Sequence, residues 1–192
     1  MQLVFATHNR HKVGEIRLLL PSSVKLVTLD EIGCNEDIPE TGDTLAANAL
    51  QKAMFVYERY KCDCFSDDTG LEVNALNGRP GVYSARYAGE QCSAEDNINK
   101  LLTELRNKTD RSASFKTVIA LVTGGKPLFF EGSVKGNIAT EKLGEKGFGY
   151  DPVFVPEGYS CSFAQITTEE KNTISHRARA VNKFTEYLKT IG

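Results

Sequence analysis

Four stretches of the chain bring together side chains suited to phosphate, a metal ion or a flat heterocycle. The first is Thr7-His8-Asn9-Arg10-His11-Lys12, where an apolar run hands over to a helical pattern. Backbone N–H groups and the positive end of a helix dipole face outward at such a junction, so a phosphate could sit there with Lys12 neutralising it. A polar turn capped by Thr7 or Asn9 accounts for the same string without a ligand. The second stretch pairs Glu40 in ETGDT with Asp67-Asp68 in SDDTGL. Mg²⁺ takes oxygen ligands and needs only one or two protein carboxylates beside waters and substrate phosphates, which two acidic segments would supply. Adjacent aspartates before Thr-Gly also make an ordinary turn. Asn48 and Lys52, four residues apart, share one face of a helix, turned either to a cleft or to solvent.

The third stretch is GFGYDP, Gly147 to Pro152. A purine could stack on its aromatic faces while Asp151 reads a base edge; a tight glycine turn with core aromatics is the alternative. The fourth combines Lys171 with Ser175-His176-Arg177. Six residues of continuous helix end about 240° apart, so Lys171 and Arg177 can serve one ligand only if the helix breaks between them. Ser175 is a good N-cap, which predicts a short turn holding Lys171, an interruption, and a main helix from about His176 with Arg177 in its first turn. Arg179, Lys183 and Lys189 spread around that helix and are assigned to solvent.

The elements that must position these groups alternate between two hydrophobic periodicities, which predicts an α/β class. Leu3 to Ala6 reads as a buried strand, Lys12 to Leu20 as a helix stopped by Pro21, and Val24 to Leu29 as a second strand. Ala46, Ala49, Leu50, Ala53, Val56 and Tyr57 recur at helical spacing, with Asp43 or Thr44 as cap and an end near Tyr60. Cys62 to Ser66 is expected to deliver Asp67 and Asp68 to a strand end, with Leu71 to Val73 a short strand beyond a turn at Gly70. A helix over Ala94 to Leu105 follows, then strands Ser114 to Thr123 and Leu128 to Ile138 joined by a Gly124-Gly125 hairpin. The last helix carries Ala178, Val181, Phe184, Tyr187 and Leu188 against the sheet.

Composition sets the outer bounds. With 192 residues, 41% hydrophobic and 25% charged, the chain can bury a core as one domain over residues 1–192, which excludes disordered, collagenous and small disulfide-framed classes. A formal charge of -2 offers no global positive field for a nucleic-acid polymer. The five cysteines, Cys34, Cys62, Cys64, Cys92 and Cys161, are odd in number and lack zinc-knuckle spacing, so reduced thiols are expected. No basic leader precedes the first apolar run, and no apolar run approaches the roughly 20 residues that span a bilayer. A soluble, unprocessed, cytoplasmic protein without a membrane partner is expected.

Thr7-x-x-x-x-Lys12, ETG followed by NA-x-x-KA, DDTGL, PG-x-x-SAR, GFGYDP and SHR occur in that order over nearly the whole chain. Together they resemble the inosine triphosphate pyrophosphatase family of RdgB type. The resemblance implies a mixed twisted β-sheet flanked by helices with a nucleotide cleft between two lobes, and a homodimer. It implies hydrolysis of non-standard purine nucleotides (ITP, dITP, XTP) to the monophosphate and pyrophosphate, with Mg²⁺ as cofactor. Thr7, His8, Asn9, Arg10, His11 and Lys12 would form a substrate loop; Glu40 and Asp68 would hold the metal, with Asp68 also the proton acceptor. Lys52, Thr69, Phe148, Gly149, Tyr150, Asp151, Lys171, His176 and Arg177 would complete the purine nucleoside triphosphate site, and Arg86 sits in a motif without an assigned role. Two departures stand out: Thr69 where the bacterial pattern has Ser, which keeps the hydroxyl, and Ala47 where it often has Glu, which leaves the metal more dependent on Glu40 and Asp68. A related pyrophosphatase of Maf type acting on modified pyrimidine nucleotides, and a silent nucleotide sensor, are the alternatives. GFGYDP and SHR speak against the first, and intact Glu40 and Asp68 against the second.

Overall fold

The computed structural model describes residues 1–90 and 93–191, so Cys92 lies outside the described residues; Cys34, Cys62, Cys64 and Cys161 are free thiols, as expected. In chain order the elements are β1 (Gln2–Phe5), α1 (Arg10–Leu19), β2 (Lys25–Thr28), α2 (Leu45–Tyr60), β3 (Cys64–Val73), β4 (Pro80–Gly81), α3 (Ala94–Glu104), β5 (Ser112–Thr123), β6 (Lys126–Ile138), β7 (Phe154–Pro156), α4 (Thr168–Ile174) and α5 (His176–Ile191). The strands form one mixed sheet in the order β2-β1-β3-β5-β6-β7, with β4 paired antiparallel to β3. This is the expected α/β class with flanking helices. Among the described residues no helix is long and apolar enough to cross a membrane.

Two compact units divide the chain. The first comprises Met1–Asp68, Thr117–Gly132 and the segment from Arg177; the second comprises Thr69–Lys116 and Ser133–His176. In the first unit β1 pairs parallel with both β2 and β3. Successive strand residues point to opposite faces, and two cores result. Leu3, Phe5, Phe65, Ile119 and Leu121 meet Ile16 of α1 and Val181, Phe184 and Leu188 of α5. Val4, Ala6, Cys64, Ala120 and Val122 meet Ala49, Ala53 and Val56 of α2. Helices α1 and α5 therefore cover one face and α2 the other. The chain leaves β1 for β2 on one side and returns past it to β3 on the other, which makes the end of β1 a topological switch point, the place where open α/β sheets bind ligands. The second unit packs Ile98 and Leu101 of α3 and Leu105 just past its end with Leu71, Val73, Phe115, Ile138, Phe154 and Phe163.

The caps follow local chemistry. Asn9 Oδ1 accepts from the N–H groups of His11 (3.0 Å) and Lys12 (3.2 Å), so α1 starts at Arg10 rather than Lys12. Of the two candidate caps for α2, Thr44 serves, its Oγ1 accepting from Ala47 N–H at 3.1 Å. Gly124 and Gly125 take φ of 54° and 75° in the β5–β6 hairpin, the left-handed pair that a two-residue hairpin turn demands. One expectation fails. No turn at Gly70 separates two strands: β3 runs unbroken from Cys64 to Val73, with Asp67 and Asp68 in its middle. The acidic pair does not break the strand because each carboxylate finds its own cations.

Candidate active site

Because side chains alternate along β3, the adjacent aspartates point to opposite faces of the sheet. Asp67 follows Phe65 toward α1 and α5; Asp68 follows Ser66, whose Oγ donates to Ala49 O of α2 at 2.7 Å, toward α2. Asp67 is fully buried. Its Oδ1 lies 2.9 Å from Lys12 Nζ and its Oδ2 3.3 Å from Arg177 Nε, while Arg177 Nη1 also pairs with Glu15 of α1. Burial alone would raise the Asp67 pKa, but Lys12, Arg177 and Lys52 together hold the carboxyl well below the usual range. Burial lowers the Lys12 pKa against the attraction of Asp67. For Arg177 the two carboxylates outweigh burial and raise it.

On the other face Asp68 Oδ2 accepts from Asn48 Nδ2 at 3.3 Å, and Asp68 Oδ1 lies 3.4 Å from Lys52 Nζ, which also donates to Glu40 Oε1. Asn48 and Lys52 are both buried, so their shared helix face meets β3 rather than solvent. Asn48 does more: its Oδ1 accepts from Gly42 N–H at 2.7 Å and so fixes the ETGDT segment. A Cβ on Gly42 would meet that oxygen at 2.8 Å and Ala47 Cβ at 2.7 Å, so only glycine fits. Burial raises the Asp68 pKa, and Glu40 and Asp67 add to it against the pull of Lys52 and Lys12. Burial alone would lower the Lys52 pKa, yet Asp68, Glu40 and Asp67 carry it upward. The first unit thus gathers Glu15, Glu40, Asp67 and Asp68 around Lys12, Lys52 and Arg177. Glu40 and Asp68 already share one cation, and their all-oxygen donor set fits Mg²⁺, which takes its remaining ligands from water and phosphate.

The second unit carries the GFGYDP residues. Asp151 Oδ2 accepts from Phe148 N–H at 2.9 Å and from Lys171 Nζ at 2.7 Å, and that ammonium lies 5.1 Å from the centre of the Phe148 ring. Gly147 makes this possible: with φ 76°, its Cβ would stand 2.2 Å from Asp151 Oδ2. Tyr150 turns inward instead, its hydroxyl donating to Ser84 O at 2.9 Å. Ser84 Oγ in turn accepts from Leu71 N–H at 2.9 Å and donates to Gly81 O at 2.6 Å, so the PG-x-x-SAR and GFGYDP motifs are tied through one phenol. His176 is buried and stacks on Phe115, ring centroids 4.5 Å apart.

The predicted helix break is present. α4 ends at Ile174, Ser175 is extended (φ -67°, ψ 157°), and α5 begins at His176, which leaves Lys171 to Asp151 and Arg177 to Asp67 and Glu15. Thr69 is half-buried and Gly149 has φ 60°. Thr7 Oγ1 accepts from Asn9 N–H at 3.2 Å. His8, Arg10 and His11 are exposed; His8 Nε2 lies 3.0 Å from Glu36 O, and His8 and Arg10 line a shallow pocket with Arg17 and Thr28. Sequence reasoning singled out Asp67 and Asn48 without giving them roles, and passed over Glu15. The signals existed: Glu15 is one helical turn from Lys12, and a continuous strand would have placed Asp67 opposite Asp68.

A model described as the Ham1 family matches residues 3–187. A dITP/XTP pyrophosphatase of Flavobacterium psychrophilum is 56% identical over 98% of this chain and 100% of its own length; a protein of the same name from Bacillus subtilis is 44% identical over 97% and 96%. Among solved structures, the Ham1 protein of Staphylococcus aureus superposes with a TM-score of 0.91 at 40% identity, covering 100% of both chains. A nucleoside-triphosphatase / dITP/XTP pyrophosphatase of Mycobacterium abscessus gives 0.79 at 41% identity over 96% and 98%. With the family model spanning all but the ends, and with fold and identity agreeing over the full length, the chain belongs to the Ham1 family.

Proposed function

We propose that this protein hydrolyses non-standard purine nucleoside triphosphates (ITP, dITP, XTP) to the monophosphate and pyrophosphate. The observation that carries the reading is the pair of carboxylates, Glu40 and Asp68, gathered around buried Lys52 at the switch point of the sheet. The names of the relatives, dITP/XTP pyrophosphatase, support it. Release of pyrophosphate requires water to attack the α-phosphorus, and charge neutralisation dominates such transfers. Glu40 and Asp68 would hold Mg²⁺, which would supply electrophilic charge for the transfer. Lys12, Lys52 and Lys171 offset the triphosphate and the departing pyrophosphate, with Thr7, Asn9 and the rest of the loop to Lys12 holding the phosphates.

Asp68 takes the proton from water. Burial raises its pKa, which makes the carboxylate a stronger base than an ordinary one. Phe148 offers a ring face to the purine, and Thr69, Gly149, Tyr150, Asp151 and His176 belong to the same nucleotide-binding set. Inosine and xanthosine carry a 6-oxo acceptor where adenine has an amino donor. A donor aimed at that oxygen, for which His176 and Arg177 are the candidates, rejects adenine at about 1–3 kcal/mol per unpaired group. We place the enzyme in the cytoplasm as a homodimer; light scattering behind a sizing column should return twice the mass of one chain.

Pyrophosphate release from ITP, XTP, dITP, ATP, GTP and dUTP, with and without Mg²⁺, tests the reading against Asp68→Asn. Turnover should be confined to ITP, dITP and XTP and to the metal-containing arm, and Asp68→Asn should lower kcat far more than it raises KM. Equal turnover of ATP and ITP would sink the selectivity. Unimpaired release by Asp68→Asn would sink the mechanism.

A further inference from the structure

Lys52 stands where its charge competes with the ion that the proposed function assigns to Glu40 and Asp68. Lys52 is buried, 5% exposed; its ammonium donates to Glu40 Oε1 and lies 3.4 Å from Asp68 Oδ1, while Asn48 takes the other Asp68 oxygen. Ala47, one turn from Gln51 on the same helix, brings no further carboxylate. We infer that Lys52 is a placeholder for the divalent cation: it neutralises Glu40 and Asp68 in the ligand-free protein and passes to the triphosphate when the metal enters. The inference rests on the assignment of the metal to Glu40 and Asp68.

The buried Asp68 carboxylate, with the partly exposed Glu40 beside it, needs a cation, and a buried ammonium needs an anion. A divalent ion arriving alone would satisfy the carboxylates but strand Lys52 next to a dication. A triphosphate arriving with the ion removes that conflict, because its oxygens receive the displaced ammonium. The four-carbon lysine stem permits the exchange by rotation of the side chain, without movement of α2. Metal and nucleotide then bind with synergy, and the free protein is kept from binding divalent ions by itself. An ordinary structural ion pair would leave no such mark on metal affinity.

Mn²⁺ is the probe, with free ion counted by electron paramagnetic resonance on the full chain, with and without an ITP analogue carrying an α,β-imido bridge. The wild-type protein should bind Mn²⁺ weakly alone and at least about tenfold more tightly with the analogue. Lys52→Met should bind Mn²⁺ alone at least about tenfold more tightly than wild type, the scale on which one neighbouring charge moves proton affinity, and should lose most of the synergy. Unchanged or weaker binding of Mn²⁺ alone by Lys52→Met overturns the inference. If Glu40→Gln leaves Mn²⁺ binding intact in both arms, the metal assignment itself falls, and the inference with it. Circular dichroism checks folding. Should Lys52→Met not fold, Lys52→Gln, also uncharged, goes through the same titration: tighter binding of Mn²⁺ alone supports the placeholder role, and unchanged or weaker binding overturns it.

Discussion

Asp67→Asn isolates the charge of a buried group while conserving its shape. Asp67 is fully buried between Lys12 Nζ at 2.9 Å and Arg177 Nε at 3.3 Å. Removing one partner of a buried ion pair costs about 3–5 kcal/mol, because the remaining charge is left without compensation. Here Arg177 keeps Glu15, and the Lys12 side chain, 14% exposed, can reach water, so the lower end applies, about 3 kcal/mol. For a chain of this length that corresponds to a fall in Tm of about 6–12 °C. Thermal and urea unfolding at pH 7 give the comparison. The pH dependence supplies a second readout. The native pKa of Asp67 is depressed, so its stabilisation is fully present above the unfolded aspartate value of about 3.9 and is lost as pH falls toward the native value. The gap between wild type and Asp67→Asn should therefore hold from pH 7 to 5 and narrow below about pH 3.9, at most by about 1.4 kcal/mol per pH unit. A gap under about 1 kcal/mol at pH 7, or one that does not narrow in acid, would refute the account of Asp67 as the anion that holds Lys12 and Arg177.

Gly147→Ala and Gly149→Ala form a controlled pair. Both positions have left-handed φ (76° and 60°), but only a Cβ at Gly147 strikes Asp151 Oδ2, so Gly149→Ala should cost about 1 kcal/mol and Gly147→Ala about 3 kcal/mol as Asp151 leaves Phe148 and Lys171. Equal losses in urea unfolding would count against the Asp151 contact. Tyr150→Phe removes the hydroxyl bonded to Ser84 O and should lower stability by about 1–2 kcal/mol with an unchanged m-value; an unmoved urea midpoint would mean that the phenol does not tie the two motifs.

The elements were legible where one physical signal dominated. An unbroken apolar run gave β1, β-rich runs gave β5 and β6, helical spacing gave α2 and α5, and Gly124-Gly125 gave the hairpin. The break at Ser175 followed from helix geometry joined to two premises, that Lys171 and Arg177 serve one ligand and that Ser175 is a good N-cap. What stayed hidden depended on partners distant in sequence. The string SDDTGL reads as a turn because two carboxylates and a glycine are poor company in an isolated strand; only Lys12, Arg177, Asn48 and Lys52, up to 110 residues away along the chain, make it a good one. Read as a strand, the same string assigns one aspartate to each face, and with it two separate tasks. Asp67 fixes Lys12 and Arg177 on the face of α1 and α5, while Asp68 meets Lys52 and Asn48 on the face of α2. That division predicts that the two substitutions fail differently: Asp67→Asn through stability and, by loosening Lys12 and Arg177, through KM; Asp68→Asn through kcat. Because the residues are adjacent on one strand, their place along the chain cannot explain such a split, only the side of the sheet to which each carboxylate points.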